Sequence, residues 1–240
     1  MLYNILAIGD VVGGCGVSCL ERHLRAVKKL KNIHFTVVNG ENAAMVGLTP
    51  NDAERIFSAG ADVITLGNHT FGKMQITDYL DDCPYILRPH NLGARVPGRG
   101  YGVFDCGRAR IAVMNLIGRC DLAFHADNPF KTADELLKSG EKPTFTLLDF
   151  HAEATSEKLA MAYYLDGRVS AIWGTHTHVP TADEEVFPKG TGYLTDLGMT
   201  GAVRSVLGIK PEQSVETFLG GLPGRYREPE KSAGKMQGAI

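Results

Sequence analysis

Cysteine is sparse in this sequence, and its spacing excludes two common kinds of structural site. The five cysteines are scattered along the chain, and no two of them form a Cys-x-x-Cys pair. Because their number is odd and they are scattered, neither a disulfide framework nor a thiolate zinc site is indicated. We therefore expect all five thiols to be reduced and to serve as ordinary packing residues.

Long apolar runs are also missing. No run approaches the roughly 18 apolar residues that a bilayer-spanning helix needs. Residues 1–10 begin a strand and lack the basic-then-apolar pattern of a signal sequence. These absences predict a soluble, cytoplasmic protein without a membrane partner.

Neither sign of charge dominates the chain. The formal net charge is -2 at pH 7, and no long run of one sign occurs in either half. Extended nucleic acid is bound by basic surfaces, so we expect no extended nucleic-acid partner. The apolar fraction of 44% and the charged fraction of 22% are those of an ordinary globular protein.

Nothing in the sequence divides the chain into separate units. It contains no internal repeat and no low-complexity linker, and we therefore predict a single domain over residues 1–240. The segment after about residue 225 is rich in glycine and charged residues and has few apolar side chains to bury. We expect this tail to be poorly ordered.

Short apolar strands alternate with amphipathic helices in the first part of the chain. The pattern predicts strands at 3–8, 35–38 and 63–66, and helices at 18–30 and from Thr49 to Gly60. Repeated strand and helix units of this kind form a parallel sheet covered by helices. Two further strands within residues 102–116 are typical of a hairpin, so the predicted fold class is α/β with antiparallel strands included.

Polar side chains follow the predicted strands at the point where each strand ends. In chain order they are Asp10, Glu41 with Asn42, Asn68 with His69, and His151. Ligands of α/β sheets bind beyond the carboxyl ends of the strands, so these side chains should lie along one edge. Each type also has an ordinary interpretation, since aspartate can cap a turn, asparagine can bond to loop backbone, and histidine can be a hydrogen-bonded core residue.

A Gly-Thr-His-Thr-His run at 174–178 follows the apolar segment 169–173. Side chains at positions i and i+2 of an extended chain point to the same side. This spacing predicts that His176 and His178 present their imidazoles toward one point, and neutral imidazole is a common ligand of divalent transition metals. Taken alone, the pair is explained equally well by solvated or hydrogen-bonded histidines.

Together the strand ends carry carboxylates, amide oxygens and imidazoles. Such a set of nitrogen and oxygen donors suits manganese, iron or zinc ions, and it does not favour the metals that prefer thiolate ligands. It is too large for one ion. Two metal ions roughly 3.5 to 4 Å apart that share a bridging carboxylate would use the whole set, and this arrangement supports phosphoryl displacement.

The order of these motifs resembles that of a known superfamily. The chain has Gly-Asp-x-x-Gly at 9–13, Gly-Glu-Asn at 40–42, Gly-Asn-His at 67–69, a lone His151, and Gly-Thr-His-Thr-His at 174–178. It resembles the calcineurin-like metallophosphoesterases, and more narrowly the YmdB-like branch of 2',3'-cyclic-nucleotide phosphodiesterases. The resemblance implies a layered α/β fold, with mixed sheets flanked by helices and a dinuclear metal site at the carboxyl ends of the strands.

The resemblance also implies a distribution of ligands over two metal ions, iron or manganese, with zinc as a third option. The first metal ion would be held by Asp10, Glu41, Asn42 and His178. The second would be held by Glu41, Asn68, His151 and His176. Glu41 would bridge the two ions, in the place where the superfamily usually has an aspartate, and Asn42 would replace a histidine of the usual first motif.

The activity that the resemblance implies is hydrolysis of small phosphodiesters, in particular 2',3'-cyclic nucleotides. A metal-bridging hydroxide would attack phosphorus, and His69 would assist the leaving group as a proton donor. Two alternatives stay open: a phosphomonoesterase or nuclease with the same metal site, and a metal-dependent regulatory protein with low turnover. The expected partners are a small phosphodiester or cyclic-nucleotide substrate and a second copy of the chain in a homo-oligomer.

Overall fold

Two β-sheets are stacked face to face in the computed structural model of the protein, which describes residues 2–122, 125–138, 142–222 and 224–240. The strands are β1 (Asn4–Ile8), β2 (Asp10–Val11), β3 (Ile33–Asn39), β4 (Val63–Thr65), β5 (Ile86–Leu87), β6 (Tyr101–Asp105), β7 (Arg110–Ile117), β8 (Phe145–His151), β9 (Ala171–Thr175), β10 (Glu185–Val186), β11 (Gly192–Leu194), β12 (Met199–Ala202), β13 (Gly234–Lys235) and β14 (Gly238–Ala239). The helices are α1 (Gly13–Leu30), α2 (Pro50–Ala59), α3 (Ile76–Asp82), α4 (Pro129–Leu137), α5 (Thr155–Leu165) and α6 (Pro211–Phe218).

Both large sheets combine parallel and antiparallel strands. The first has the order β14-β1-β3-β4-β5, and only β14 runs antiparallel to its neighbour. The second has the order β10-β11-β9-β8-β7-β6, with antiparallel strands at its two edges. The predicted hairpin is the pair β6 and β7. A small third sheet, β13-β12-β2, lies beside them.

Three clusters of buried apolar side chains hold the layers together. Along β3, Val38 packs with helices α1 and α2, whereas its neighbour Val37 packs with side chains of the second sheet. This alternation follows the period of two along a strand. The third cluster joins the outer face of the second sheet to α4 and α5. The predicted class, a layered α/β fold with mixed sheets flanked by helices, is confirmed.

Local signals place the boundaries of some helices and not of others. Helix α2 begins as predicted, because the side chain of Thr49 accepts a hydrogen bond from the backbone N–H of Asp52, and it ends at Gly60, whose φ is 123°. Helix α1 begins at Gly13 and not at residue 18. Within this glycine-rich segment, the backbone of β12 approaches the helix closely. A Cβ on Gly16 would lie 2.4 Å from the carbonyl oxygen of Thr200.

Helix α5 differs from the sequence prediction at its first turn. The sequence predicts a helix over 156–165 that is capped by Thr155 or Ser156. The capping position is Ala154, and no side chain caps the helix. Hydrogen bonds from the N–H groups of Glu157 and Lys158 to the Ala154 carbonyl close the first turn instead.

The tail after about residue 225 is not poorly ordered, contrary to the expectation from its composition. Strand β13 pairs with β12, and β14 pairs with β1 at the edge of the first sheet. The backbone carbonyl of Gln237 also accepts a hydrogen bond from the N–H of Gly9. Strand pairing satisfies backbone groups whatever the side chains are, which is why composition misled here. No helix within the described ranges is long and apolar enough to cross a membrane.

Candidate metal centre

The ends of five parallel strands converge on one pocket of about 360 Å³. Asp10 begins β2 directly after β1, Glu41 and Asn42 follow β3, and Asn68 and His69 follow β4. From the second sheet, His151 ends β8 and His176 comes directly after β9. The pocket is lined by Val12, Glu41, Asn42, Met45, Val46, His69, Glu153, His176, Thr177, His178, Leu207, Ile209 and Tyr226. Five of the eight side chains singled out in the sequence line this pocket, and the other three contact this group behind it: Asp10, Asn68 and His151.

One group of donors surrounds His151, which is fully buried. Its Nε2 atom lies 3.2 Å from Oε1 of Glu41, 3.1 Å from Nδ1 of His176 and 2.8 Å from Oδ1 of Asn68. Glu41, His151 and His176 each offer one ligand atom, and these atoms lie within 4.8 Å of one another. This spacing suits binding of a metal ion by all three.

A second group of donors lies on the other side of Glu41. Nε2 of His178 is 3.2 Å from Nδ2 of Asn42 and 3.7 Å from Oδ1 of Asp10. Nδ2 of Asn42 is in turn 3.0 Å from Oε1 of Glu41. The Glu41 carboxylate thus lies between the two groups.

His176 and His178 reach the pocket by a route that differs from the sequence prediction. Strand β9 ends at Thr175, and both histidines have positive φ, 101° at His176 and 64° at His178. The segment is therefore not extended as predicted, because it turns after Thr175. Residues other than glycine seldom adopt such a left-handed backbone conformation. The turn directs His176 toward His151 and His178 toward Asn42, so the two imidazoles belong to different groups.

Two aspartates hold this turn through its backbone. Oδ2 of Asp10 accepts a hydrogen bond of 3.2 Å from the N–H of His176, and Oδ2 of Asp196 accepts one of 3.2 Å from the N–H of Thr177. Asp196 in turn forms an ion pair of 2.8 Å with Nζ of Lys158, and both side chains are buried. Lys158 and Asp196 had no predicted role, and nothing in their sequence context links them.

The site contains two buried carboxylates, and one of their oxygen atoms has no hydrogen-bond partner in the part of the chain that the structure describes. Asp10 and Glu41 are fully buried, and among the described residues Oδ1 of Asp10 has no hydrogen-bond partner. Burial raises the pKa of Asp10 to about 6, against the opposing effect of His178. Burial alone would raise the pKa of Glu41 too, but His151 and His69 hold it well below its ordinary value. A cation in the site would compensate such buried charge.

The two neighbouring imidazoles differ in charge state. Burial alone would lower the pKa of His151, but Glu41 and Asp10 raise it to about 9. The pKa of His176 falls to about 3, because the ring is buried and lies beside His151. A neutral imidazole keeps the lone pair that a metal ion needs, so His176 can bind as it is, whereas His151 must release its proton when it binds. The unpaired oxygen of Asp10, the neutral His176 and the nitrogen and oxygen donor set together fit bound metal ions.

A buried hydrogen-bond network behind the site orients His151. Its Nδ1 lies 2.9 Å from Oγ1 of Thr175, and that hydroxyl donates to Oδ1 of Asp149 over 2.7 Å. Asp149 also accepts from the side chains of Thr65 and Asn39. Partners of this kind fix the orientation of a ligating histidine. Asp149 and His151 are two residues apart on one strand, so their shared side was readable from sequence.

By their charge, Lys73, Arg88 and Arg119 are candidates for contact with a phosphate group. None of Lys73, Arg88 and Arg119 lines the pocket. The guanidinium of Arg88 is committed to backbone carbonyls, including those of Pro89 and Pro97. The described part of the pocket therefore offers histidines and metal donors, rather than arginine or lysine, to a phosphoryl group.

Replacing Gly67 with alanine should disrupt the donor group around His151. A Cβ at this position would lie 2.3 Å from Oε2 of Glu41 and 2.3 Å from Nε2 of His151, so both ligand atoms must move. We expect the affinity for metal ions, measured by metal titration, to fall at least about tenfold. Gly192→Ala is the matched control, because its Cβ meets only contacts of 3.7 and 3.8 Å. Equal metal binding in both variants would contradict the prediction.

Comparisons with known proteins match nearly the whole chain to one family. A family model described as "YmdB-like protein" matches residues 6–240. A 2',3'-cyclic-nucleotide 2'-phosphodiesterase of Bacillus subtilis (strain 168) is 46% identical over 229 residues, which are 95% of this chain and 86% of that protein.

Two solved structures share the fold over nearly the whole chain. A phosphatase of Mycoplasma pneumoniae has a TM-score of 0.91 at 35% identity, with 98% of this chain and 86% of the other covered. A hypothetical protein of Thermus thermophilus has a TM-score of 0.88 at 38% identity, with 95% and 88% covered. The layered sheets are thus shared with a protein described as a phosphatase.

Proposed function

Since the protein belongs to the YmdB-like family, we propose that it is a metal-dependent phosphodiesterase that hydrolyses 2',3'-cyclic nucleotides. The observation that carries the proposal is the convergence of two donor groups on the Glu41 carboxylate, with His69 in the same pocket. The relative from Bacillus subtilis, with 46% identity, is named for this activity.

We propose two metal ions, iron or manganese, with Glu41 between them. Asp10, Glu41, Asn42 and His178 would hold one ion, and Glu41, Asn68, His151 and His176 would hold the other. Contacts within each group support this division, from His178 to Asn42 and from His176 to His151. The Asn42 amide now directs its nitrogen toward Glu41 and its oxygen toward His69. Binding through oxygen therefore needs this amide turned by 180°.

When bound, the metal ions would acidify water and neutralise charge on the phosphoryl oxygens. Hydrolysis adds water across one P–O bond of the cyclic ester, and the departing ribose oxygen must receive a proton. His69 is the side chain available to donate it. Its Nδ1 lies 2.9 Å from Oδ1 of Asn42, and its Nε2 has no hydrogen-bond partner among the described residues. The backbone N–H of His69 donates to Oε2 of Glu41, which holds this residue beside the site.

Replacing His69 with alanine should lower kcat toward 2',3'-cAMP by about 10² to 10⁴, the range of general acid catalysis. Metal content should stay unchanged, because His69 is not among the proposed ligands. The measurement combines initial rates on anaerobically purified protein with metal analysis. His23→Ala, an exposed histidine on α1, is the matched control and should keep full activity.

A substrate panel separates this proposal from its two alternatives. Wild-type protein should open cyclic nucleotides in preference to hydrolysing nucleoside monophosphates or polynucleotides. Cleavage of monoesters alone would replace the proposal with a phosphomonoesterase. Full metal occupancy without turnover of any phosphate ester would favour a regulatory protein.

A further inference from the structure

The pocket has a second half that the metal chemistry does not use. Beside the metal donors, its wall is formed by a set of apolar and aromatic side chains: Val12, Met45, Val46, Leu207, Ile209 and Tyr226. Two of them remain well exposed, Leu207 at 46% and Tyr226 at 55%. We call this set the apolar wall. Exposed apolar groups lining a concave site are a common feature of small-molecule pockets.

Tyr226 is held at this wall by hydrogen bonds on both of its sides. The side chain of Gln213 on α6 donates to the carbonyl of Arg225 over 2.9 Å and accepts from the N–H of Arg227 over 3.0 Å. The carbonyl of Arg227 accepts from the N–H of Lys210 over 2.8 Å. The backbone that carries Tyr226 is therefore fixed by one glutamine and one further backbone contact.

The next residues of the tail are attached to the other side of the pocket. Oε2 of Glu228 accepts a hydrogen bond of 3.1 Å from the N–H of Cys15, in the first turn of α1. A carboxylate is favoured at the amino terminus of a helix, where N–H groups lack partners. The tail segment 225–228 thus connects α6 to α1 and crosses beside the metal centre.

His178 connects the apolar wall to the metal donors. Its Nδ1 lies 3.3 Å from the carbonyl oxygen of Leu207, while its Nε2 belongs to the donor group around Asn42. Leu207 has a left-handed φ of 51°, in the turn between β12 and α6. A ligand whose charged end lies on the metal donors would therefore place its other end against the apolar wall.

We propose that the apolar wall binds the nucleobase of the substrate, with Tyr226 as the aromatic surface on which the base stacks. This proposal rests on the proposed function, because it takes the phosphate to lie at the metal donors. A nucleobase has flat apolar faces that stack on aromatic rings. The side chains of the wall are apolar apart from the Tyr226 hydroxyl, so stacking and apolar contact dominate and adenine and cytosine cyclic nucleotides should both be accepted.

The test compares substrates with and without a base. For each variant we would measure kcat/KM on 2',3'-cAMP and on glycerol 1,2-cyclic phosphate, which has the cyclic ester but no base. We define the substrate ratio as kcat/KM for 2',3'-cAMP divided by kcat/KM for glycerol 1,2-cyclic phosphate. Tyr226→Ala should lower this ratio by about tenfold, mainly because KM for the nucleotide rises. Tyr226→Phe keeps the ring and should keep the ratio. Phe218→Ala removes an aromatic side chain that is 87% exposed and outside the pocket, and is the matched control.

A binding measurement keeps this inference separate from the proposed function. Saturation-transfer NMR with adenosine reports contact with the base and needs no turnover. Adenine signals should be strong for wild-type protein and weak for Tyr226→Ala. If wild-type protein hydrolyses no cyclic nucleotide, the proposed function fails, and the adenosine result alone decides the base site. An unchanged substrate ratio and unchanged adenosine signals in Tyr226→Ala would overturn the inference.

Discussion

Replacing Glu41 with glutamine should reduce kcat toward 2',3'-cAMP by about 10³-fold or more and should lower bound metal below that of wild-type protein. The reason is the position of this carboxylate. Its Oε1 lies 3.2 Å from His151 and 3.0 Å from Asn42, so it is shared by both donor groups. Loss of a bridging charge removes several kcal/mol of charge stabilisation, and about 4 kcal/mol corresponds to a factor of 10³.

Glutamine is chosen because it preserves shape while it removes charge. Its amide oxygen can still accept the hydrogen bond of 3.0 Å that the N–H of His69 donates to Oε2 of Glu41. The fold around the pocket should therefore survive, which circular dichroism would check. Metal analysis of anaerobically purified protein and initial rates are the two measurements.

Glu153→Gln is the matched control in the same pocket. The Glu153 carboxylate lies 3.0 Å from Nε2 of His176, but its side chain is 48% exposed and contacts a single imidazole of the site. Water replaces much of what an exposed charge contributes, so we expect less than about a tenfold change in kcat. Two tightly bound metal ions in Glu41→Gln would remove the basis for a bridging role.

Replacing Lys158 with methionine should lower the free energy of unfolding by about 3 to 5 kcal/mol. Nζ of Lys158 lies 2.8 Å from Oδ2 of Asp196, and both side chains are buried. Removal of the ammonium group leaves the Asp196 carboxylate without a counter-charge in an environment that water does not reach. Breaking such a pair costs far more than breaking an exposed one.

The loss of the Lys158 charge should also weaken metal binding. Oδ2 of Asp196 also accepts from the N–H of Thr177, between the two histidines of the turn, and its Oδ1 accepts from the N–H of Gly198. An uncompensated carboxylate would shift or take up a proton, and either change weakens the hold on this turn. We expect weaker metal binding by Lys158→Met even at temperatures where the variant is folded.

Urea unfolding of three variants tests this prediction. Lys158→Met should be strongly destabilised, and the double variant Lys158→Met with Asp196→Asn should recover part of the loss, because no buried charge remains. Lys131→Met, at an exposed position of α4, should change the free energy of unfolding by less than about 0.5 kcal/mol. A loss below about 1 kcal/mol for Lys158→Met would mean that the pair is solvated.

The predictions that succeeded depend on neighbours in the chain. Helix α2 could be placed from Thr49 and Gly60, because a cap and a terminating glycine act within a few residues of themselves. The α/β class followed from the alternation of short apolar strands and helices. The resemblance to the YmdB-like family is confirmed by a match over residues 6–240. The ligand set that it implied stays a prediction, although the structure brings those side chains together.

The predictions that failed involve contacts between distant segments. The predicted helix began at residue 18, but α1 begins at Gly13, and the backbone of β12 leaves no room for a side chain at Gly16. The composition of the tail indicated disorder, but the edges of two sheets pair with it. The spacing of His176 and His178 indicated an extended chain, whereas Asp10 and Asp196 hold a turn with left-handed residues.

By itself, the sequence determined the fold class and the chemical types of the donors at the strand ends. Both depend on local periodicity and on which residue follows each strand. The tertiary structure alone decided that His176 and His178 reach their two donor groups through a turn, that Lys158 and Asp196 pair beneath them, and that Tyr226 reaches the pocket. These arrangements join residues far apart in the chain. Such contacts arise from the packing of whole sheets and helices, which no short stretch of sequence encodes.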